Sequence, residues 1–545
     1  MRLISLIVSV AALAATAEEP ALILFNGKIV TVDGAFTYAQ AVAIRDGRFV
    51  AVGSDADVRR LAGSNTKQID LRGRTVIPGL SDNHLHSAGG GPGVDLSGAR
   101  TLRQLLSAIA GRARKAAAGE LIVTNSDWHE GQLKEQRLPL LRDLDSVVPD
   151  HPVVVVRGGH EYILNSAALA RWNITKTTPQ TDGGRIGRYD DGELNGELVD
   201  RARDAVTLPP PASRSFEQRL EDQIAEYQKL HASGLTTVRH PGGSIEQYRL
   251  LQEIEKRGRL DMRVVFLFRP AALEQSDVRP DDGDDRLRVG GIKLGVDGGF
   301  EGGWMRDPYA EPWGEAGHYR GLNTMPAVAF TSRVRELNRL GWRVWTHAVG
   351  DAAIDEVLAG YEAADADNPI SSRRWGIEHA FIARPDHFAR MRKLGLGISA
   401  QNHLYLAGPV LTKYWGAERG ERATPMRAFF EAGLPTSAGT DSPVVPYRPL
   451  AVIAHFVTRR TLSGAVMGVD QAISREQALR ASTIGNAWLS FEEGVKGSIE
   501  PGKYADLVVL SGDIMTCPDD QIENLTVLMT MVGGRTVFEG QKFDE

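Results

Sequence analysis

The chain of 545 residues holds a single cysteine, Cys517, so no internal disulfide can form and the fold must be held by its core. It also lacks any long run of one charge sign. Its 63 basic and 69 acidic residues are interspersed, for a net charge of -6, which excludes the basic stripe of a nucleic-acid binder and predicts a solvated surface. Beyond the N-terminal segment, no stretch is apolar enough to cross a membrane. The glycine-rich GGGPG (residues 89 to 93) lacks the strand-to-helix spacing of GxGxxG or GxxxxGK[ST], so it is not read as a phosphate cradle. What remains is ordinary globular composition, 42% hydrophobic and 24% charged. The length predicts one large domain with a satellite.

The N-terminus MRLISLIVSVAALAATAEEP has one early positive charge, Arg2, an apolar stretch from Leu3 to Leu13, and the small-residue pattern Ala15-Thr16-Ala17. It reads as a signal peptide over residues 1–17, cleaved before Glu18, so the chain is expected to be exported, to the periplasm or beyond. A membrane anchor is the competing reading, but the apolar run is shorter than the roughly 20 residues a span needs. No cysteine follows it to carry a lipid.

Next come β-rich runs broken by Asn26-Gly27 and Asp46-Gly47, both hairpin signals. The C-terminus has the same style, with Gly533-Gly534 as a turn. Residues 18–74 and 490–545 are therefore expected to form one small β-sandwich domain from both chain ends. Between them, residues 75–489 alternate strands with helices. The candidate strands are Thr75 to Leu80, Leu235 to Arg239, Arg263 to Phe268, Gly291 to Val296, Arg343 to Thr346, Trp375 to Glu378, Leu396 to Ala400 and Pro435 to Ala438. Eight strands separated by helices predict an α/β protein of the (β/α)₈ TIM-like barrel class. The gap of roughly 150 residues after the first strand contains its own strand, HPVVVVRGG, and its own turns, so about 120–205 is read as an inserted subdomain.

Polar residues gather at the carboxyl ends of these strands, where such barrels build their sites. His84 and His86 follow strand one, Lys293 lies in strand four, His347 and His379 end strands five and six, and Asp441 follows strand eight. Any one of them is ordinarily a hydrogen-bonded loop residue, and a strand lysine an edge residue with its amine in water. Six together at the ends of one barrel's strands point to a metal site. Imidazole with carboxylate suits zinc, and also manganese or iron.

The motifs PGLSDNHLH, IKLGVDGG, THAVGDAAID, IEHA, SAGTDSP and SIEPGKYADLVVL together resemble the amidohydrolase superfamily. The similarity is to its amidohydrolase-3 branch, metal-dependent hydrolases that include N-substituted formamide deformylases, and it spans essentially the whole mature chain. RGGHEYILNSAAL resembles that branch's inserted-domain motif and puts His160 on the substrate side. One loop departs: where many members read DGSLGSRTA after the strand-four lysine, this chain reads DGGFEGGWMRDPY. Substrate preference is therefore not transferred.

The resemblance implies one metal held by His84, His86 and Asp441, and a second held by His347 and His379. Lys293 would bridge the two as a carbamate. An unmodified lysine beside a single metal is the alternative. A lysine reacts with carbon dioxide only as a neutral amine, which burial and a nearby cation favour. The implied chemistry is attack by metal-activated hydroxide, with Asp441 as base and then acid and His160 steadying the oxyanion. From the departing loop, Trp304, Trp313 and His318 are candidates to line an apolar pocket, or equally to pack the loop down, and Arg306 is a candidate for a substrate carboxylate.

The expected activity is hydrolysis of non-peptide carbon–nitrogen bonds in a small molecule, amides or N-substituted formamides. A lactonase or esterase on the same centre stays open, since hydroxide attacks either carbonyl. A non-catalytic binding or regulatory protein retaining the fold is the reading of another class. Assembly into a homo-oligomer is left open.

Overall fold

The structure is a computed structural model and describes residues 19–210, 213–275, 277–311 and 317–540. The expected leader, residues 1–17, and Trp313 lie outside the described residues. Eight parallel strands form one sheet in chain order: β1 (Leu80–Asp82), β2 (Leu235–Gly243), β3 (Arg263–Phe268), β4 (Leu287–Gly295), β5 (Val344–Ala348), β6 (Gly376–His379), β7 (Gly397–Gln401) and β8 (Thr436–Gly439). Between the ends, Leu85 and Ser442 make a parallel bridge that brings the loops after β1 and β8 together. α-Helices intervene between successive strands of this (β/α)₈ barrel except β3 and β4, which are joined through the short 3₁₀ helix Pro270–Gln275. Strand β3, Arg-Val-Val-Phe-Leu-Phe, is buried at every position, because a parallel strand in this fold is covered on both faces. The helices are capped locally. Ser244 caps Ile245–Lys256 and Ser215 caps Phe216–Ala232, each in a reciprocal pair with a glutamine three residues on.

The first strand is divided, which corrects the run expected over Thr75 to Leu80. Thr75–Pro78 belongs to a six-stranded sheet built from both chain ends, and the barrel begins only at Leu80. Gly79 is the crossing point. A Cβ there would stand 2.3 Å from Thr236 Oγ1, so only glycine lets the chain pass so close to β2.

That six-stranded sheet faces a four-stranded one made from residues 22–70, and the two share a core that includes Leu24, Phe49, Val76, Leu507 and Met529. Asp46-Gly47 is a two-residue hairpin turn, with φ of 51° and 74°. Asn26-Gly27 is not a hairpin. Leu22–Phe25 and Lys28–Val30 lie in different sheets, and the pair carries the chain from one to the other.

Between β1 and β2 lies an inserted five-stranded sheet, spanning Ile122–Val123 to Leu194–Asp200. Its core also takes Leu96, Leu105 and Ile109, so packing into it begins before residue 120. No helix among the described residues is long and apolar enough to cross a membrane.

Candidate metal centre

The loops after β1 and β8 are tied backbone to backbone. Asp441 N–H donates to the His84 carbonyl at 2.7 Å, and His86 N–H donates to the Ser442 carbonyl at 2.8 Å. Asp82 reinforces this join by accepting from the N–H groups of His84 and Thr440 and from the Thr440 hydroxyl. The result sets His84, His86 and Asp441 side by side. Asp441 has φ of 60° and His379 φ of 73°, left-handed conformations that cost non-glycine residues on the order of 1–3 kcal/mol each. Such strain persists only where surrounding contacts impose it, and here it falls on two metal-ligand types.

Asp441 stands at the middle. Its Oδ1 lies 3.4 Å from His84 Nε2 and 3.2 Å from His86 Nε2, and its Oδ2 lies 3.1 Å from His403 Nε2. Two sets of three donors converge to metal-binding spacing: His84, His86 and Asp441, and His379, His403 and Asp441. The remote nitrogens are held by the protein. His84 Nδ1 meets Glu378 at 2.8 Å and His379 Nδ1 meets Gln401 at 2.6 Å. Such partners fix a ligating ring's orientation and tautomer.

Electrostatics suits the same use. Burial, then Lys293, pushes the His84 pKa down to about 4, while Asp441 and Glu378 oppose. Burial, with neighbouring imidazoles, also drives His347 and His379 well below the usual histidine range. All three rings are therefore neutral near pH 7, as ligands must be. Burial works against the charged forms of Asp441 and Glu378. Even so, His84, His403 and His86 hold Asp441 well below the carboxylate range, and Arg239, at 2.6 Å, with His84 holds Glu378 below it.

Lys293 Nζ lies 3.4 Å from His84 Nε2, and burial lowers its pKa to about 8. His347 sits beside the cluster, its ring 4.6 Å from that of His379. Its Nε2 donates to the Gly298 carbonyl at 3.0 Å, so it belongs to neither converging set. His160 stacks on His347 at 5.3 Å between ring centroids, and its Nδ1 meets Asp200 at 2.6 Å. Burial notwithstanding, Asp200 raises the His160 pKa. A cavity of about 740 Å³ is lined by the two converging sets together with Lys293, His347 and His160. Trp128, Phe300 and Phe381 supply its apolar side.

The structure therefore brings His84, His86, Lys293, His347, His379, Asp441 and His160 to one cavity. His403, at the start of the helix Leu404–Trp415, completes the second set and was not anticipated. Its signal was a histidine just beyond the seventh strand.

The departing loop behaves differently. Arg306, expected to meet a substrate carboxylate, is bound to Asp355 and Asp386 at 2.7 Å, and its Nη2 lies 2.8 Å from His387 Nε2. Its guanidinium fills the one other histidine–carboxylate cluster of metal-like spacing among the described residues. Trp304 packs against the barrel core, and His318 is exposed. None of these three lines the cavity.

A family model described as the amidohydrolase family matches residues 67–538. An N-substituted formamide deformylase of Arthrobacter pascens is 30% identical over 95% of this chain and 98% of its own length. The protein LONG AFTER FAR-RED 3 of Arabidopsis thaliana is 28% identical over 95% of this chain and 91% of its own. Among solved structures, a metal-dependent hydrolase of Pyrococcus furiosus superposes with a TM-score of 0.66. It is 25% identical over 91% of this chain and 100% of its own.

Proposed function

The chain belongs to the amidohydrolase family, and from that premise we propose that it hydrolyses non-peptide carbon–nitrogen bonds of small molecules, such as amides or N-substituted formamides, with a divalent metal. The observation that carries this reading is Asp441, whose two oxygens face histidines from the two converging sets. His84, His86 and Asp441 would hold one ion, and His379 and His403 with the same carboxylate a second. Zinc fits this nitrogen–oxygen donor set. A bound divalent ion supplies Lewis acidity to the carbonyl and lowers the pKa of its water from about 15.7 to about 7.

The protein's own groups do the rest. Asp441 accepts a proton from the attacking water and returns it to the leaving nitrogen, so one carboxylate serves as base and then acid. His160, oriented by Asp200, donates from Nε2 to the oxygen that gains charge. Lys293, whose lowered pKa supplies neutral amine, takes up carbon dioxide and releases a proton, becoming an anionic carbamate beside His84.

The test is a screen of amides, N-acyl compounds, formamides and lactones against zinc-loaded protein. Turnover of an amide or formamide by the wild type is expected, with a loss of ~10³-fold or more in Asp441→Asn. Cleavage of lactones alone would overturn the carbon–nitrogen assignment, and failure to bind any divalent metal would overturn the metal chemistry.

A further inference from the structure

Among the described residues, four arginine and lysine side chains reach the cavity: Arg157, Arg269, Lys293 and Arg333. Three are already engaged. Arg157 is neutralised by Glu130 and Glu301, Arg333 donates to Glu336 at 2.9 Å, and Lys293 lies against His84.

Arg269 is placed differently. It is the residue after β3 and is exposed at the cavity's edge. Its Nε donates to the Gly242 carbonyl at 2.7 Å, and among the described residues no carboxylate stands within ion-pair distance of it. One hydrogen bond thus fixes the plane of the guanidinium and leaves both terminal nitrogens to a ligand. Gly242, at φ +72°, lies between the two side chains: a Cβ there would stand 3.6 Å from Lys293 Cγ and 3.7 Å from Arg269 Nε. The Lys293 and Arg269 stems thus flank the same glycine and line the same cavity. The carboxylates that line the cavity, Asp297, Glu301 and Asp441, are all buried and face other partners, His347, Arg157 and the histidine cluster in turn.

We propose that the substrate carries a carboxylate beside its scissile amide, and that Arg269 binds it through the two terminal nitrogens. The planar fork of a single guanidinium matches a carboxylate bidentately. An N-acyl amino acid is the simplest such molecule, and the aromatic wall of Trp128, Phe300 and Phe381 favours an apolar side chain. Hydrolysis breaks the C–N bond: the acyl carbon takes hydroxide from water and the nitrogen takes its protons, so an N-acyl amino acid gives a carboxylate and a zwitterionic amino acid. This substrate class rests on the hydrolase reading above.

The matched probes are N-formylphenylalanine and its neutral amide, N-formylphenylalaninamide, with zinc-loaded wild type, Arg269→Gln and Arg269→Lys. Loss of a charge-assisted bidentate contact should lower kcat/KM for the carboxylate probe about 10- to 100-fold in Arg269→Gln, mainly through KM. The neutral probe should be little affected, and Arg269→Lys should recover part of the loss. Equal losses on both probes, unchanged handling of the carboxylate, or a wild-type preference for the neutral probe would overturn the assignment. Calorimetric binding of the same two probes separates this from the hydrolase reading. With neither probe cleaved, weaker carboxylate binding in Arg269→Gln still supports the assignment, and equal binding by wild type and variant removes it.

Discussion

Two walls of one cavity use the same residue types to opposite ends. On the barrel wall, His84, His86, His379, His403 and Asp441 turn their donor atoms toward a common space, while Glu378 and Gln401 hold the far nitrogens of two of the rings. On the wall of the inserted sheet, Glu130 and Glu301 converge instead on Arg157, at 2.6 and 2.5 Å, with Glu161 at 3.7 Å. There the cation is part of the chain. A cluster of buried carboxylates closed by a guanidinium is a fastening between inserted sheet and barrel, and a cluster of imidazoles converging on one carboxylate has the donor set to receive an ion. The Arg306 cluster with Asp355, Asp386 and His387 is likewise closed by a guanidinium, though its carboxylates are more exposed. Metal-like spacing alone does not distinguish the two; what already occupies the centre does.

The largest expected difference is in stability. Arg157→Met strands Glu130 and Glu301 as unpaired buried charges and should destabilise the protein by about 3–5 kcal/mol, while zinc content stays near that of the wild type. Parallel loss of zinc would make the two walls one unit. Next is turnover. His160→Ala should lower kcat ~10²-fold or more with the metal retained, and unchanged kcat would remove its oxyanion role. Glu378→Gln should weaken metal affinity about 10- to 100-fold by freeing the His84 ring, which equilibrium dialysis measures.

A further contrast concerns pH. His84 has a folded pKa of about 4 against 6.5 ordinarily, so the folded metal-free protein resists the proton that the unfolded chain accepts. Its contribution is fully present above pH 6.5 and is lost as pH falls toward about 4, with buried His240 and His455, each pushed down to about 3, adding to the loss. The melting temperature of metal-free protein should fall across that window. A flat profile would mean that these rings are not held neutral.

Much of this arrangement was legible in the sequence, because barrel strands are short apolar runs and barrel sites lie at their carboxyl ends. Seven of the eight barrel strands were located, and seven anticipated residues meet in the cavity. Three misses have physical causes. Thr75 to Leu80 is one apolar run shared by two sheets, and only Gly79 marks the division. His403 lies just past β7 inside a helical turn, where it reads as an ordinary helix residue. Arg306 finds Asp355 and Asp386 on two different helices, 49 and 80 residues away in the chain, which local pattern does not reveal. Arg269, directly after a strand, carried no more signal than any basic residue there, and its importance comes from what it is not paired with.

The proposed chemistry depends on Asp441 serving two sets of metal ligands. Anomalous X-ray scattering from crystals of zinc-loaded protein tests it most directly. Density is expected between Asp441 and the histidine pairs His84–His86 and His379–His403, with none at Asp355, Asp386 and His387, where Arg306 already sits. Zinc found only at that outer cluster, or none bordering Asp441, would contradict it.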